Sequence, residues 1–175
     1  MIKVCVTDLD GTLWKENSEV CIVEKYYNNK KYSGIRGKIW GKINLNSLVE
    51  SLNKDFDRIP EEYVRSFSLN TNPSVLDILD KYKKKGFEIL ILSNAPSLIV
   101  DYGMKILKAR GYHCEIGKKA KVLRNIYPSI DYLVTISDNK SDEDLFEISD
   151  EGIVIINRGR RINIKCKGNI QYVAV

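Results

Sequence analysis

The chain has 175 residues, of which 43% are hydrophobic and 29% charged, and its formal net charge is +5. This length suits one domain with one hydrophobic core, and the composition excludes extended disorder. No apolar run approaches the roughly 20 residues that span a bilayer, and the first residues lack a signal-peptide pattern. We therefore expect a cytoplasmic protein without membrane contact.

Apolar segments alternate with amphipathic ones along most of the chain. Strands are predicted over 2–8, 87–92, 112–116, 132–136 and 153–156. Helices are predicted from Pro73 to the stop at Gly86, and over 97–110 (ended by Gly111), 119–127 and 142–149. This order predicts an α/β protein with a doubly wound, Rossmann-like parallel sheet of about five strands.

Residues 14–70 interrupt this alternation. They contain helical patterns over 18–30, 45–54 and 60–67, the last with Pro60 at the first helical position. A parallel strand-to-strand crossover does not need this length. We predict a core domain of residues 1–13 and 71–175 and a small helical insertion of residues 14–70.

Cysteine and histidine offer little metal or disulfide chemistry. Cys5, Cys21, Cys114 and Cys166 are far apart, without a Cys-x-x-Cys pair, and His113 is the single histidine. We expect all five to be packing or surface residues, without a zinc site or a disulfide.

Two stretches concentrate positive charge. Between Lys25 and Lys42 there are six cations and no acid, interleaved with three tyrosines and Trp40. The second stretch consists of Arg158, Arg160, Arg161, Lys165 and Lys167. Both would suit a phosphorylated partner or a nucleic acid. The alternative, which we favour, is the solvated face of a lysine-rich protein.

Polar residues stand where buried strands end. Asp8 ends the first strand, Ser93 ends the second, and Asp138 follows the fourth, while Lys119 opens the helix before it. Ligands of open α/β sheets bind beyond the carboxyl ends of the strands. We therefore expect these four side chains to share one site.

The carboxylates of this site imply a cation. Asp8, Asp10, Asp138 and Asp142 would crowd negative charge into one cleft, which repulsion and desolvation oppose unless a metal ion lies among them. Hard oxygen ligands select Mg²⁺. We predict Mg²⁺ as the cofactor and these four residues as its candidate ligands.

Asp8 and Asp10 can divide the chemistry of phosphoryl transfer. Residues i and i+2 of an extended chain face the same way, so both carboxyls can address one phosphate. Asp8 stays ionised to attack phosphorus, and Asp10, its pKa raised by the neighbouring charge, acts as general acid and base. Gly11 allows a tight turn, and the Thr12 hydroxyl can orient a carboxylate.

Thr12, Ser93, Asn94 and Lys119 are the candidate phosphate-binding residues. A hydroxyl, backbone N–H groups near Asn94 and an ammonium would each stabilise the charge that spreads over the equatorial oxygens. Lys118 and Lys121 compete with Lys119 for the lysine role, and the apolar spacing of the following helix favours Lys119.

These motifs resemble those of the haloacid dehalogenase superfamily of phosphatases. The family pattern of D-x-D-x-T, a Ser or Thr, a Lys and D-x-x-x-D is matched in order by Asp8-Leu9-Asp10-Gly11-Thr12, Ser93-Asn94, Lys119 and Asp138-Asn139-Lys140-Ser141-Asp142. The resemblance spans about 2–157 and leaves the insertion largely unexplained. One departure is Ser137, where the family usually has Gly.

The resemblance implies an aspartyl-phosphate intermediate on Asp8. It also implies Mg²⁺ held by Asp8, the backbone carbonyl of Asp10 and Asp138, with Asp142 supporting the metal's waters or the lysine. The insertion would be a cap, as in the branch that resembles phosphoserine phosphatase. An aspartate at position 10 favours phosphatases and phosphomutases over dehalogenases.

Hydrolysis of a phosphate monoester is thus the predicted function, with a small phosphorylated metabolite or a nucleotide as substrate. A second hypothesis is a phosphatase acting on nucleic-acid ends or a phosphoprotein. A third is a catalytically silent binding module. Three questions stay open at this point: the substrate's identity, whether water or another hydroxyl accepts the phosphoryl group, and the oligomeric state.

Overall fold

The structure is a computed structural model, which describes residues 1–157 and 162–175. Its contacts divide the chain into two units. The core unit comprises Met1–Lys15 and Asn70–Val175, and the helical unit comprises Glu16–Leu69. The predicted insertion of residues 14–70 covers the helical unit, and its role as a cap stays a prediction.

The helical unit contains four helices: α1 (Ser18–Tyr26), α2 (Ile35–Ile43), α3 (Leu45–Phe56) and α4 (Glu61–Ser66). Asparagine side chains cap two of them, as when Asn17 Oδ1 accepts from the Val20 amide at 2.8 Å. Helix α2 was not predicted from the sequence, and α1 ends earlier than the predicted residue 30. Pro60 is the N-cap of α4 rather than its first helical residue.

The described part of the core unit contains a six-stranded, all-parallel sheet in the order β3-β2-β1-β4-β5-β6. The strands are β1 (Lys3–Thr7), β2 (Glu88–Ser93), β3 (Arg110–His113), β4 (Tyr132–Ser137), β5 (Glu151–Ile156) and β6 (Asn169–Ala174). The predicted α/β class and doubly wound sheet are confirmed. The edge strand β6 was missed.

The core helices are α5 (Pro73–Lys84), α6 (Ser97–Leu107), α7 (Lys119–Ile126) and α8 (Glu143–Phe146), with a 3₁₀ turn over Lys140–Asp142 before α8. The predicted helix over 142–149 is therefore shorter than expected. Helix α6 ends earlier than predicted, because Lys108 adopts a left-handed conformation with φ 49°. Gly111 does not stop that helix but lies within β3, where a Cβ would meet the side chains of Val100 and Met104.

The centre of the sheet fixes the positions of three strand ends. Strand β1 lies between β2 and β4, and Thr7 is in register with both Ile91 and Ile136. Side chains on both faces of these strands are buried, such as the neighbouring residues Val4 and Cys5, which point to opposite faces and are both 0% exposed, because helices cover a parallel sheet on both sides. The carboxyl ends of β1, β2 and β4 are consequently held side by side.

Two further properties of the described chain concern membrane-spanning helices and disulfides. No helix in the described ranges combines the length and apolar character needed to cross a bilayer. None of the four cysteines forms a disulfide, and Cys5 and Cys114 are buried in the core unit.

Candidate active site

Asp8, Ser93 and Asp138 lie at the ends of adjacent strands, as the sequence predicted. Asp8 directly follows β1, is only 8% exposed, and its amide donates to the Ile136 carbonyl of β4 at 3.1 Å. Ser93 is the last residue of β2, and Asp138 follows β4 directly. The sheet itself therefore brings Asp8, Ser93 and Asp138 to the same edge.

Lys119 is the centre of this site. It is completely buried at the first turn of α7, and its Nζ lies 3.0 Å from Asp8 Oδ1 and 2.7 Å from Asp142 Oδ2. Lys118 instead pairs with Glu115 at the surface, and Lys121 is exposed. Of the three competing lysines, the structure thus places Lys119 beside Asp8.

The charge of Lys119 is maintained by its two partners. Burial acts to lower the pKa of the ammonium, but the carboxylates of Asp8 and Asp142 outweigh burial, so the pKa is raised above its ordinary value. A buried charge is tolerated only when it is paired and hydrogen-bonded. The two carboxylates therefore favour the charged form of Lys119 beside Asp8.

Asp142 is held in place to support Lys119. It is 1% exposed, and besides the lysine its Oδ2 accepts from the Ser137 hydroxyl at 2.6 Å. Burial and the charge of Asp8 raise its pKa, while Lys119 and Ser137 oppose that rise. Of the two roles implied for Asp142, these contacts favour the lysine, and a role beside the metal stays a prediction.

Asp144 fixes the start of α7. Its Oδ2 accepts from the Ala120 amide at 2.8 Å, which satisfies one of the free N–H groups at the helix terminus. Sequence reasoning missed this contact because Asp144 lies in the predicted helix after Asp142. The pair of acids at 142 and 144 therefore holds both the lysine and the helix that carries it.

The Asp138 carboxylate packs directly on the turn at Gly11. Gly11 has φ +73°, and a Cβ built on it would overlap the carboxylate of Asp138. The Thr12 hydroxyl donates to Asp138 Oδ1 at 3.3 Å and accepts from the Asp138 amide at 3.0 Å. With its one proton used in this way, Thr12 is placed to orient Asp138 rather than to donate to a phosphate.

The surroundings of Asp138 raise the pKa of its carboxyl group. Burial and the nearby charge of Asp8 raise the pKa of Asp138 to about 6, although hydrogen bonds from Asn157 and Thr12 favour the ionised form. A buried carboxyl group whose pKa is raised by a neighbouring negative charge is one that a bound cation would stabilise in its ionised form.

The described residues can be tested as a magnesium site. No three Asp, Glu, His or Cys side chains within the described ranges converge as a metal-binding group. The implied ligand set, however, uses only two side chains, Asp8 and Asp138, with the carbonyl of Asp10, and Mg²⁺ commonly keeps several waters. The donors are hard oxygens and the carboxylates repel each other, so the residues fit Mg²⁺, and the predicted ligands stay predictions.

Asp10 lies at the turn after Asp8. It is half-buried, and its backbone pairs with Trp14 in an isolated bridge. Trp14 is buried and stacks on Tyr102 of α6 with the ring centroids 5.6 Å apart. The stacking of Trp14 on Tyr102 thus helps to hold the turn that carries Asp10.

The loop after β2 carries the predicted phosphate-binding residues Ser93 and Asn94. Ser93 is 1% exposed, and its Oγ accepts from the Ala95 amide at 3.3 Å. The Asn94 side chain donates to the Cys114 carbonyl at 2.6 Å, and His113 Nδ1 lies 2.8 Å from the Ala95 carbonyl. Asn94 therefore fixes the loop through its side chain, and the phosphate-binding role of Ser93 and Asn94 stays a prediction.

Asn157 belongs to the site and was not predicted. It follows β5 and its amide donates to the Gly11 carbonyl, with a longer contact of 3.4 Å to Asp138 Oδ2. The sequence signal was available, since Asn157 is another polar residue after a buried strand. It was overlooked because it belongs to none of the four motifs.

The first basic stretch is partly engaged within the helical unit. Lys31 pairs with Asp55 at 2.8 Å and lies over the ring of Tyr32, which is buried. Lys31 therefore contributes to packing within the helical unit, whereas the favoured alternative was a solvated face. In the second stretch Lys167 pairs with Asp150 at 2.8 Å, whereas 158–161 lie outside the described residues.

Replacing the buried lysine tests its electrostatic role. We expect Lys119→Met to lower the free energy of unfolding at pH 7 by about 3–5 kcal/mol, because Asp8 and Asp142 lose their cation. Adding Asp142→Asn to that variant should recover part of the loss. Urea denaturation measures both effects. Lys121→Met, on the exposed face of α7, is the control and should change stability by less than about 0.5 kcal/mol. A double variant less stable than Lys119→Met would contradict the charge argument.

Two glycines with left-handed backbones separate strain from steric overlap. Gly11→Ala and Gly117→Ala both place a Cβ at positive φ (+73° and +69°), but only the first meets a neighbour, the Asp138 carboxylate. We expect Gly117→Ala to cost about 1–2 kcal/mol. Gly11→Ala should cost more and should also lose Mg²⁺ binding, measured by calorimetry. Equal behaviour of the two variants would show that the contact with Asp138 is unimportant.

Comparisons with known proteins agree with this fold. No protein-family model and no curated protein sequence matches the chain. Among solved structures, a HAD family hydrolase from Salmonella enterica subsp. enterica serovar Typhi superposes with a TM-score of 0.71 at 16% identity, over 87% of this chain and 62% of that one. The chain thus spans less than two thirds of that protein.

Two further solved structures are similar over nearly their whole length. A substrate-bound phosphoserine phosphatase has a TM-score of 0.71 at 14% identity, covering 89% of this chain and 86% of that one. An L-2-haloacid dehalogenase has a TM-score of 0.60 at 14% identity, covering 97% and 94%. The chain therefore has the fold of the haloacid dehalogenase superfamily of hydrolases.

Proposed function

We propose that the protein is a Mg²⁺-dependent phosphohydrolase that cleaves a phosphate monoester through an aspartyl-phosphate on Asp8. The observation that carries the proposal is the completely buried ammonium of Lys119, 3.0 Å from Asp8 Oδ1, at the carboxyl edge of the parallel sheet. A fixed cation beside an ionised carboxylate suits a nucleophile that must approach a dianion. An ion pair between solvated side chains on the surface would not hold the ammonium in one fixed position.

The reaction would proceed in two displacements. An oxygen of Asp8 forms a bond to phosphorus while the ester P–O bond breaks, and Asp10 gives its proton to the leaving oxygen. Asp10 then takes a proton from a water molecule that attacks phosphorus. This step breaks the bond to Asp8 and releases inorganic phosphate, so both aspartates return to their first state.

The remaining groups would bind charge that develops during transfer. Lys119 and the Ser93 hydroxyl would bind the phosphoryl oxygens when Asp8 attacks. Asp8, Asp138 and the backbone carbonyl of Asp10 would hold Mg²⁺. When bound, that ion supplies positive charge that offsets the repulsion between these carboxylates and the phosphate.

Asp10 favours a phosphatase over a dehalogenase. Structures similar to this chain include both phosphoserine phosphatase and haloacid dehalogenases, so the fold alone does not choose. A phosphate ester needs a proton for its leaving alkoxide, whereas a halide leaves without one. A carboxyl two residues after the nucleophile meets the first need and has no use in the second.

We propose a small phosphorylated metabolite or a nucleotide as substrate, with the helical unit acting as a cap. Within that unit Lys31 and Tyr32 are engaged by Asp55, which reduces the support for nucleic-acid ends or a phosphoprotein. A catalytically silent binding module is the alternative that activity measurements decide.

Replacing the nucleophile tests the mechanism. We expect Asp8→Asn to lower hydrolysis of phosphorylated metabolites by at least about 10³-fold, because the amide cannot form the phosphoenzyme. Activity is measured with Mg²⁺ on p-nitrophenyl phosphate and a metabolite panel. Phosphorylated Asp8 is sought by acid quench and mass spectrometry of the wild-type protein.

The control is Asp80→Asn, an equal loss of charge at an exposed position of α5. It should retain full activity. Activity surviving in Asp8→Asn would refute the nucleophile, and halide release from 2-chloropropionate would refute the phosphatase assignment. A wild-type protein inert on the whole panel would favour the binding module.

The pKa of Asp138 predicts a pH dependence of metal binding. Without metal its folded-state pKa is about 6, above its ordinary value, so ionised Asp138 costs stability as the pH rises from about 4 to 6. Mg²⁺ needs the ionised form. We therefore expect Mg²⁺ to raise the Tm more at pH 7.5 than at pH 5.0, as measured by thermal unfolding.

Asp138→Asn should abolish this Mg²⁺-dependent increase at both pH values, whereas Asp80→Asn should leave it unchanged. The same increase in Tm at both pH values would show that Asp138 does not control binding of the ion.

A further inference from the structure

Asn157 connects two loops that meet at the candidate active site. It follows β5, and its Nδ2 donates to the Gly11 carbonyl in the turn after Asp8. The same nitrogen lies 3.4 Å from Asp138 Oδ2. One amide group thus touches both the turn that follows the proposed nucleophile and the carboxylate that follows β4.

The chemistry of the two partners fixes the orientation of the amide. A backbone carbonyl and a carboxylate are both acceptors, so only the amino group of Asn157 can face them. An aspartate at this position would be repelled by both partners, and an apolar residue would leave them without a donor. The contacts therefore suit the asparagine amide, whose single nitrogen donates two hydrogens.

The Asp138 carboxylate is held from both sides. The Thr12 hydroxyl donates to Oδ1 at 3.3 Å, and Asn157 approaches Oδ2 at 3.4 Å. The carboxylate also lies against the turn at Gly11, where a Cβ would overlap it. Each hydrogen bond is long, but together they leave the carboxylate little rotational freedom about its last torsion.

Asn157 is also accessible rather than sealed into the core. It is half-buried and lines an open cavity of about 210 Å³ together with Asp138 and Lys140. A polar residue in the hydrophobic core would serve packing, whereas this one faces the same open space as the Asp138 carboxylate. This placement suits a residue that aligns a ligand-binding group.

We propose that Asn157 is a positioning residue that orients Asp138 toward Asp8 and the turn at Asp10, so that the carboxylate is aligned to hold Mg²⁺. The inference rests on the proposed function, because it presumes that Asp138 binds this ion. Groups that orient metal ligands by hydrogen bonds typically change metal affinity or activity by about 10- to 100-fold when they are removed.

The test measures Mg²⁺ binding itself as well as activity. Isothermal titration with MgCl₂ gives the Kd of the wild-type protein, Asn157→Ala and Asn157→Leu. We expect the Kd to rise at least about 10-fold in both variants, because neither donates to Asp138. Leu fills nearly the same space as Asn, so it keeps the packing if Ala destabilises the loop. Circular dichroism verifies that each variant is folded.

Kinetics distinguish positioning from a general structural role. The Mg²⁺ concentration for half-maximal activity should rise with the Kd, whereas KM for p-nitrophenyl phosphate at saturating Mg²⁺ should stay within about twofold of wild type. Asn157→Gln, which retains the amide, should recover part of the affinity. Asn169→Ala, an exposed asparagine on the neighbouring strand β6, is the matched control and should bind Mg²⁺ as wild type does.

The outcomes separate this inference from the function on which it rests. Wild-type Mg²⁺ affinity in folded Asn157→Ala and Asn157→Leu overturns the positioning role and leaves the proposed phosphatase intact. A loss of stability or an increased KM without any change in Mg²⁺ affinity also overturns it. A wild-type protein that binds no Mg²⁺ overturns the proposed function and this inference together.

Discussion

The buried ammonium of Lys119 is the interaction on which the site depends. A cation without solvent access must have carboxylates within contact distance, because desolvation of an isolated charge costs several kcal/mol. Its partners come from the end of β1 and from the 3₁₀ turn after β4. The folded sheet therefore has to bring these segments together before the lysine can be buried.

This requirement explains the supporting contacts around the lysine. The Ser137 hydroxyl donates to Asp142, and the Asp144 carboxylate accepts from the first turn of α7. Ser137 thus restricts the carboxylate that pairs with Lys119, and Asp144 restricts the helix turn that carries Lys119. The position of the Lys119 ammonium beside Asp8 is consequently supported by hydrogen bonds from Ser137 and Asp144 as well as by its two ion pairs.

The sequence was informative where burial was continuous. Strands β1, β2, β4 and β5 are apolar runs covered on both faces, so their ends and the polar residues after them could be placed in advance. The edge strand β6 is only half-buried and alternates weakly, which removes that signal. Helix α2 was missed for a different reason, because Gly37 and Gly41 lie inside it and glycine lowers helix propensity.

Side-chain roles were harder to predict than positions, because they depend on which donor reaches which acceptor. Ser137 replaces a glycine of the family pattern, and by size alone the exchange looks neutral. Its hydroxyl, however, gives Asp142 a second donor at 2.6 Å beside Lys119, and it also accepts from the Asn139 amide at 3.1 Å. A glycine offers neither contact, so Asp142 would rely on the lysine and on the longer bond from Ser141 at 3.3 Å. In this chain the serine therefore contributes to holding the carboxylate that keeps Lys119 against Asp8.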